Sequence, residues 1–289
     1  MSSLIDVVTD ISAVDFKKNY LEVRKPLLVK GGCSQWSATK NWSPHFFGSH
    51  FGSTKIPLKT FTPNGILKQQ KSLKEYCDEI QEFESSTVGS RPPYCHDIPI
   101  FSMEPRLIKD IENFPVDFLP SAYKRWWAYC QFFLGPAGSV TPLHFDCLLT
   151  NNLFFQISGT KRFTLMPPES ADHCGQYNWR WFKLDPENPA LDSFPNYLQN
   201  RTMTVDVEGG DILFMPSGML HHVRSMSTCI SFNIDFHDLK SALNGVLALN
   251  KGIPKKNAYY NALVLCRLAT KLPECIFLKF YKSYLNYVS

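Results

Sequence analysis

Short apolar runs, several with a period of two residues, dominate the middle of this chain and predict β-strands. Glycine, proline and asparagine separate these runs, as expected of the turns between strands. One pair of runs, 152–158 and 161–166, is separated only by Gly159 and Thr160, which predicts a hairpin. The other runs predict strands at 27–31, 56–61, 130–134, 202–207, 211–215 and 228–236.

Both ends of the chain have helical patterns instead. Ser12 and Ser72 each precede a helical run and have an acidic residue three positions later, which predicts capped helices to about residues 23 and 83. A further amphipathic helix is predicted at 103–114. Helices are also predicted at 238–249, 254–270 and 273–287, where each segment opens with Asp or Pro. We therefore predict a mainly β unit over 1–237 and a helical region over 238–289, called the tail below.

Composition and charge bear on the partners and the location expected for this protein. The chain has 289 residues, a formal net charge of +4 and no run of Lys or Arg longer than a pair. This charge pattern does not indicate binding to a nucleic acid. Nine cysteines occur without a close Cys-x-x-Cys pair, and no signal peptide precedes them, so we expect a cytoplasmic location, with the nucleus left open. Charged residues interrupt the apolar C-terminal end, so no membrane association is expected.

A candidate metal site lies around His144 and Asp146. In an extended strand these two side chains point to the same face, which places an imidazole and a carboxylate beside one cavity. A third ligand is available in His221, which follows a predicted strand ending at Pro216. Two His and one carboxylate form the facial triad of non-haem Fe(II) oxygenases, which leaves positions open for a co-substrate and dioxygen.

Two further residues fit a dicarboxylic acid co-substrate. Lys161 starts the strand that the hairpin would place next to the strand of His144, where its ammonium would pair with a distal carboxylate. Thr141, three residues before His144, offers a hydroxyl to the same carboxylate. Fe(II), a dicarboxylic keto acid and O2 are therefore the expected cofactor and co-substrates, and the resemblance described next implies that the acid is 2-oxoglutarate.

Taken together, these segments resemble the JmjC-type (cupin-like) Fe(II)/2-oxoglutarate oxygenases. The nearest likeness is to the protein-hydroxylase branch, which includes the asparaginyl hydroxylase of hypoxia-inducible factor. The resemblance implies a double-stranded β-helix (jelly-roll or cupin) with flanking N-terminal helices and a C-terminal helical tail. The matching segments are Thr141 to Asp146, Asn152 through Lys161, Pro167-Pro168, Gly210-Asp211, Pro216 with His221, and Ser231 to Asn233.

The same resemblance implies roles for other residues. Asn152 and Asn233 match positions whose amides reach toward the metal and the co-substrate, and strand-end hydrogen bonding is the alternative for both. Tyr94 matches a tyrosine that bonds the 2-oxoglutarate carboxylate, although an aromatic residue in a strand is usually core. The family pattern selects His221 over His222 as the ligand. One departure is Leu220, where the family has an aromatic residue.

A second His–Asp pair, His96 and Asp97, is a weaker candidate ligand pair. Adjacent strand residues point to opposite faces, so we expect these two not to share an ion. The long irregular insert at 168–201 carries Tyr177, Trp179 and Trp181 and is predicted to be a substrate lid.

The expected function is hydroxylation of a peptide or protein side chain, with succinate and CO2 as co-products. The alternatives are an N-methyl demethylase, an RNA-base or small-molecule hydroxylase on the same fold, and a non-enzymatic cupin-like binding module. The apolar tail predicts a homodimer, and a monomer with the tail folded back is the other interpretation.

Overall fold

Two β-sheets face each other and enclose a polar cavity. A computed structural model describes residues 5–62, 65–86 and 89–288, and its strands and helices are numbered here along the chain. Across these described residues, the larger sheet has the strand order β1 (Asp6–Val8), β2 (Leu27–Val29), β13 (Ile212–Met215), β8 (Asn151–Ser158), β15 (Cys229–Phe236), β6 (Cys130–Gly135) and β5 (Cys95–Ile98). The smaller sheet has the order β10 (Gln176–Tyr177), β11 (Trp181–Phe182), β7 (Val140–His144), β14 (Leu220–Ser225), β9 (Thr160–Met166) and β12 (Met203–Glu208).

The arrangement confirms the predicted double-stranded β-helix. Neighbouring strands of each sheet are mostly distant in sequence, as in β13 against β2 and β15 against β6. A separate hairpin, β3 (Lys55–Thr62) with β4 (Gly65–Ser72), lies outside both sheets. The predicted strands are present to within one or two residues; for example, β9 starts one residue early at Thr160, and β2 ends two residues early at Val29.

Strands β8 and β9 follow each other in sequence but belong to opposite sheets. β8 pairs with β13 and β15, whereas β9 pairs with β14 and β12. Gly159 joins them at φ +76°, and a Cβ atom there would lie 2.1 Å from the carbonyl oxygen of Thr228. The predicted hairpin is therefore wrong, because the connection is a corner between sheets and not a turn within one.

Alternate side chains of β15 face two different environments. Phe232 and its apolar neighbours of the same face are fully buried in the core outside the larger sheet. Asn233 and Asp235 line the cavity on the other face, and the hydroxyl of Ser231 reaches a lysine there. The period of two residues that predicted this strand thus also separates the core from the cavity.

Helices cover the outer side of the larger sheet near the N-terminus. Their bounds are α1 (Ala13–Phe16), α2 (Ser37–Asn41), α3 (Pro44–His50), α4 (Leu73–Ser85) and α5 (Ile100–Met103). Both predicted caps are present: Ser12 accepts from the amide of Asp15, and Ser72 forms a complete capping box with Glu75. The first helix continues as a π-helical turn over Lys17–Leu21.

The helix predicted at 103–114 is wrong. The α-helix ends at Met103, and a 3-10 segment, Pro105–Asp110, follows it. Pro105 has no backbone N–H to donate to the preceding turn, and its ring disfavours a helical residue before it, so the α-helix cannot run through this position. The prediction failed because it used the spacing of apolar residues, which does not show that Pro105 ends the helix.

The tail forms the three predicted helices, α6 (Leu239–Leu247), α7 (Lys255–Thr270) and α8 (Glu274–Val288). Tyr260 and Phe277 from this region are buried in the same core as the larger sheet. Arg267 is also buried and donates to the hydroxyl of Tyr129 and to the carbonyl of Ala122. The tail therefore folds back onto its own chain. Among the helices described, none combines the length and the apolar character that crossing a membrane requires.

Candidate active site

The three predicted metal ligands meet at one end of the cavity. His144 is the last residue of β7, and it lies directly opposite His221 of the neighbouring strand β14. Asp146 follows two residues after the strand end. The ligand atoms of the three side chains all lie within 4.8 Å of one another, and His221 Nε2 is 3.8 Å from Asp146 Oδ1. This spacing suits a single ion bound at about 2.0–2.2 Å from each donor.

Hydrogen bonds orient these side chains. The Nδ1 atoms of His144 and His221 lie 2.7 and 3.1 Å from the carbonyl oxygens of Pro142 and Met219. Because a carbonyl only accepts, each Nδ1 carries the proton and each Nε2 keeps its lone pair for a metal. Burial and the nearby His221 hold the pKa of His144 well below its usual range, so the imidazole is neutral, as a ligand must be.

Lys161 lies deeper in the same cavity. It is buried, and its Nζ donates to the hydroxyls of Tyr94 and Ser231, both at 2.8 Å. No carboxylate lies within 4.0 Å of this ammonium in the part of the chain that the structure describes. Burial lowers its pKa to about 8. A buried ammonium with only neutral partners is a site for an anion.

The strand of Lys161 is not next to that of His144, contrary to the prediction. β14 lies between β9 and β7, so Lys161 neighbours the strand of His221 instead. The error follows from the hairpin prediction, which placed β8 and β9 in one sheet. Lys161 nevertheless faces the same cavity as the three candidate ligands.

The other predicted residues lie around this cavity as well. Asn152 donates from Nδ2 to Asp146 Oδ2 and to Asp235 Oδ1, both at 3.1 Å, and Asn233 donates to Asp235 at 3.0 Å. The hydroxyl of Thr141 lies 3.2 Å from His96 Nε2. The structure thus brings together all eight predicted site residues, Tyr94, Thr141, His144, Asp146, Asn152, Lys161, His221 and Asn233, around roughly 560 Å³ of space that includes solvent at the mouth.

His96 and Asp97 both face the cavity, so the expectation that they point to opposite faces is wrong. Asp97 has φ +61° at an irregularity in the pairing of β5, which turns its carboxylate beside His96 Nδ1 at 2.8 Å. Lys59 Nζ lies 3.5 Å from the same carboxylate. Burial alone would raise the pKa of Asp97, but His96 and Lys59 outweigh it and hold the pKa well below its usual range.

The insert packs against the cavity and contributes Arg180 to its lining. Trp181 of β11 pairs with His144 of β7, and their rings lie 5.0 Å apart. Arg180 lines the cavity, with its guanidinium 4.6 Å from the Trp181 ring. Arg180 was not among the predicted residues, because an irregular loop has no period that shows where a side chain points.

Leu220, the departure from the family pattern, does not face the cavity. It is buried in an apolar cluster outside the smaller sheet, together with Leu143 and Phe182. The leucine therefore changes the packing under the insert and not the wall around the candidate metal ligands.

The sequence matches a known family of proteins over most of its length. The family described as Cupin-like domain matches residues 13–241, which include all eight predicted site residues. The chain belongs to the cupin-like domain family. The predicted resemblance to JmjC-type oxygenases is confirmed, whereas the nearer likeness to the asparaginyl hydroxylase of hypoxia-inducible factor stays a prediction.

Curated relatives of this cupin-like chain have low identity but long coverage. The human bifunctional peptidase and (3S)-lysyl hydroxylase JMJD7 is 24% identical over 78% of this chain and 82% of its own length. The 2-oxoglutarate and iron-dependent oxygenase JMJD4 of Gallus gallus is 26% identical over 79% of this chain and 59% of its own length. Lysine-specific demethylase 8 of Danio rerio is 25% identical over 76% and 55%. The chain spans less than two thirds of the last two.

Proposed function

We propose that this chain is an Fe(II)- and 2-oxoglutarate-dependent oxygenase that hydroxylates a side chain of a peptide or protein, with succinate and CO2 as co-products. The observation that carries the proposal is the pairing of two features in one cavity. His144, Asp146 and His221 converge at one end, and the ammonium of Lys161 lies deeper without an anionic partner.

The residues fit Fe(II). Two neutral imidazoles and one carboxylate are the ligand set of non-haem iron oxygenases, and three protein ligands leave further positions open. Asn152 holds Asp146 Oδ2 by a hydrogen bond of 3.1 Å, which leaves Oδ1, the oxygen on the side of His221, for the metal. Iron with 2-oxoglutarate would supply the activation of dioxygen, and the surrounding residues orient the reactants and exclude water.

The residues also fit a dicarboxylic co-substrate. The ammonium of Lys161 would hold the distal carboxylate, and the hydroxyl of Tyr94, already 2.8 Å from Nζ, would share it. Thr141, on the strand that ends at His144, lines the same space. These residues set the distance from the bound acid to the metal ligands.

A protein substrate is supported by the relatives. The names of JMJD7 and lysine-specific demethylase 8 identify proteins that act on lysine side chains. An N-methyl demethylase and a hydroxylase of an RNA base or small molecule use the same metal chemistry and are the alternatives. A binding module without activity would have no use for open coordination positions.

The test is incubation of the iron-loaded chain with 2-oxoglutarate and a panel of peptides with and without methylated lysine and arginine. We expect succinate formation and a peptide mass that gains one oxygen, detected by mass spectrometry. Loss of a methyl group with release of formaldehyde would identify a demethylase instead. Absence of succinate, with or without peptide, from a chain that binds iron would overturn the oxygenase assignment.

A further inference from the structure

A second group of candidate metal ligands lies on the other face of β14. His222 follows His221 in the strand, so its side chain points away from the cavity. Its imidazole and the carboxylates of Asp185 and Glu187, both from the insert, offer three ligand atoms within 4.8 Å of one another. The ligand atoms of His144, Asp146 and His221 lie within the same distance of one another.

His222 lacks the hydrogen bonds that a buried imidazole usually has. Its side chain is only 5% exposed, and Asp185 Oδ1 lies 3.9 Å from its Nε2. That distance is too long for a hydrogen bond. It does fit two donors bound to one ion, since ligands at about 2.1 Å from a metal lie roughly 3–4.2 Å from each other.

The two carboxylates are already held in position. Arg224, two residues after His222 on β14, donates from Nε to both oxygens of Glu187 at 2.6 and 2.8 Å. Asp185 Oδ1 accepts from the backbone N–H of Glu187 at 3.0 Å. Glu187 Oε2 also accepts from Arg224 Nη2, so Oε1 of Glu187, with one bond, and the oxygens of Asp185 keep lone pairs for an ion.

We propose that His222, Asp185 and Glu187 form a second metal site, which takes a divalent transition ion such as Zn(II). One imidazole and two carboxylates match Zn(II), with water completing the shell at the solvent side, where the side chain of Asp185 is 56% exposed. The site is distinct from the candidate iron site, because the two lie on opposite faces of one strand. It does not depend on the proposed oxygenase activity.

The position of this site gives it a structural consequence. Asp185 and Glu187 belong to the insert, whereas His222 belongs to the strand of His221. An ion bound by all three would fasten the insert to β14. Arg180 of the insert lines the cavity, and the Trp181 ring lies 5.0 Å from that of His144, so the ion would hold both residues in place.

Zinc stoichiometry of the full chain tests the proposal, by equilibrium dialysis and elemental analysis. A His144→Ala/Asp146→Ala chain serves as background, because zinc also binds iron sites. We expect one zinc ion on this background and none when Asp185→Asn and Glu187→Gln are added, with an affinity loss of at least about tenfold for either change alone. Both substitutions are nearly isosteric, and near-ultraviolet circular dichroism verifies that the variants fold.

Asp206→Asn is the matched control. Asp206 is an exposed acid on the same sheet, paired with Arg162 at 2.7 Å and outside the cluster, so its loss should leave zinc binding unchanged. Protection of the insert from limited proteolysis should appear with zinc only when the cluster is intact. The proposal is wrong if the background chain binds no zinc, or if it binds equally well after Asp185→Asn and Glu187→Gln.

Discussion

At the level of single residues, His144 and His221 donate from Nδ1 to the carbonyls of Pro142 and Met219, which leaves each Nε2 free for a metal. We therefore expect His144→Ala or Asp146→Ala to abolish iron binding and 2-oxoglutarate turnover while the fold stays intact. Iron content and succinate formation are the measurements. His45→Ala, at an exposed histidine of α3, is the control and should change neither. Turnover at the parent rate in either ligand variant would refute the assignment.

Lys161→Ala should weaken 2-oxoglutarate binding by about 2–5 kcal/mol, the cost of truncating one partner of a buried hydrogen-bonded charge pair. Iron binding should survive, since Lys161 is not a ligand. Isothermal titration with 2-oxoglutarate, beside iron analysis of the same sample, separates the two effects. Unchanged affinity for 2-oxoglutarate would remove Lys161 from the co-substrate site.

The pKa of Lys161, lowered to about 8 by burial, predicts a pH dependence. Its charged form destabilises the folded chain, and this cost is present below about pH 8 and disappears as the pH rises toward the ordinary lysine value. The charged form also binds the carboxylate. We therefore expect the Kd for 2-oxoglutarate to increase as the pH rises above about 8. Lys161→Arg, which stays charged, should flatten this profile, and a profile equally steep in both chains would contradict it.

Sequence identified those side chains whose direction follows from a regular strand. His144, Lys161 and Asn233 were predicted in this way, with help from the family pattern. Asp97 was named but discounted, because the positive φ that turns its carboxylate into the cavity does not follow from a regular strand. Arg180 was missed because the position of a loop residue depends on tertiary packing.

At the scale of elements, Gly159 lets the chain pass from one sheet to the other. Gly159→Ala should destabilise the chain by more than the roughly 1–2 kcal/mol expected for a positive φ, because the added Cβ also meets the carbonyl oxygen of Thr228. Gly252→Ala is the matched control, since Gly252 has φ +86° but open space around it. Chemical denaturation of both variants measures the difference. Equal losses would show that the contact with Thr228 relaxes freely.

Strand and helix positions were largely predictable, but strand pairing was not. The runs on either side of Gly159 have the same alternation whether they pair in a hairpin or separate into two sheets. The choice depends on partners such as β13 and β14, which lie far along the sequence. The helices of the tail were predicted well, because their caps and breaks are local.

At the scale of the whole molecule, the tail covers its own chain on one side and leaves an apolar row on the other. Leu239, Leu243 and Leu247 of α6 are 54%, 45% and 59% exposed and lie one helical turn apart. We expect this row to join two copies of the chain. Light scattering across a wide concentration range should give a dimer mass, and Leu243→Glu should reduce it to that of a monomer.

The control for this substitution is Val14→Glu, at an apolar position of α1 that is 73% exposed and distant from α6 in the sequence. It should leave the mass unchanged. A monomer mass for the unaltered chain at every concentration would refute the dimer. The candidate metal ligands all precede the tail, so that result would leave the active-site proposal intact.

The strand order of the larger sheet determines when the protein can fold as it is synthesised. β2 pairs with β13, and β8 needs both β13 and β15 as neighbours, so the first strands to leave the ribosome wait for partners near the end of the sheet region. Phe236 is the last residue of that sheet to be synthesised. Tyr260 and Phe277, which pack into the same core, are synthesised after it. The nascent chain therefore exposes apolar strands through most of its translation. Chaperones are expected to hold it until release, and a premature stop within the tail would yield a chain with an uncovered core.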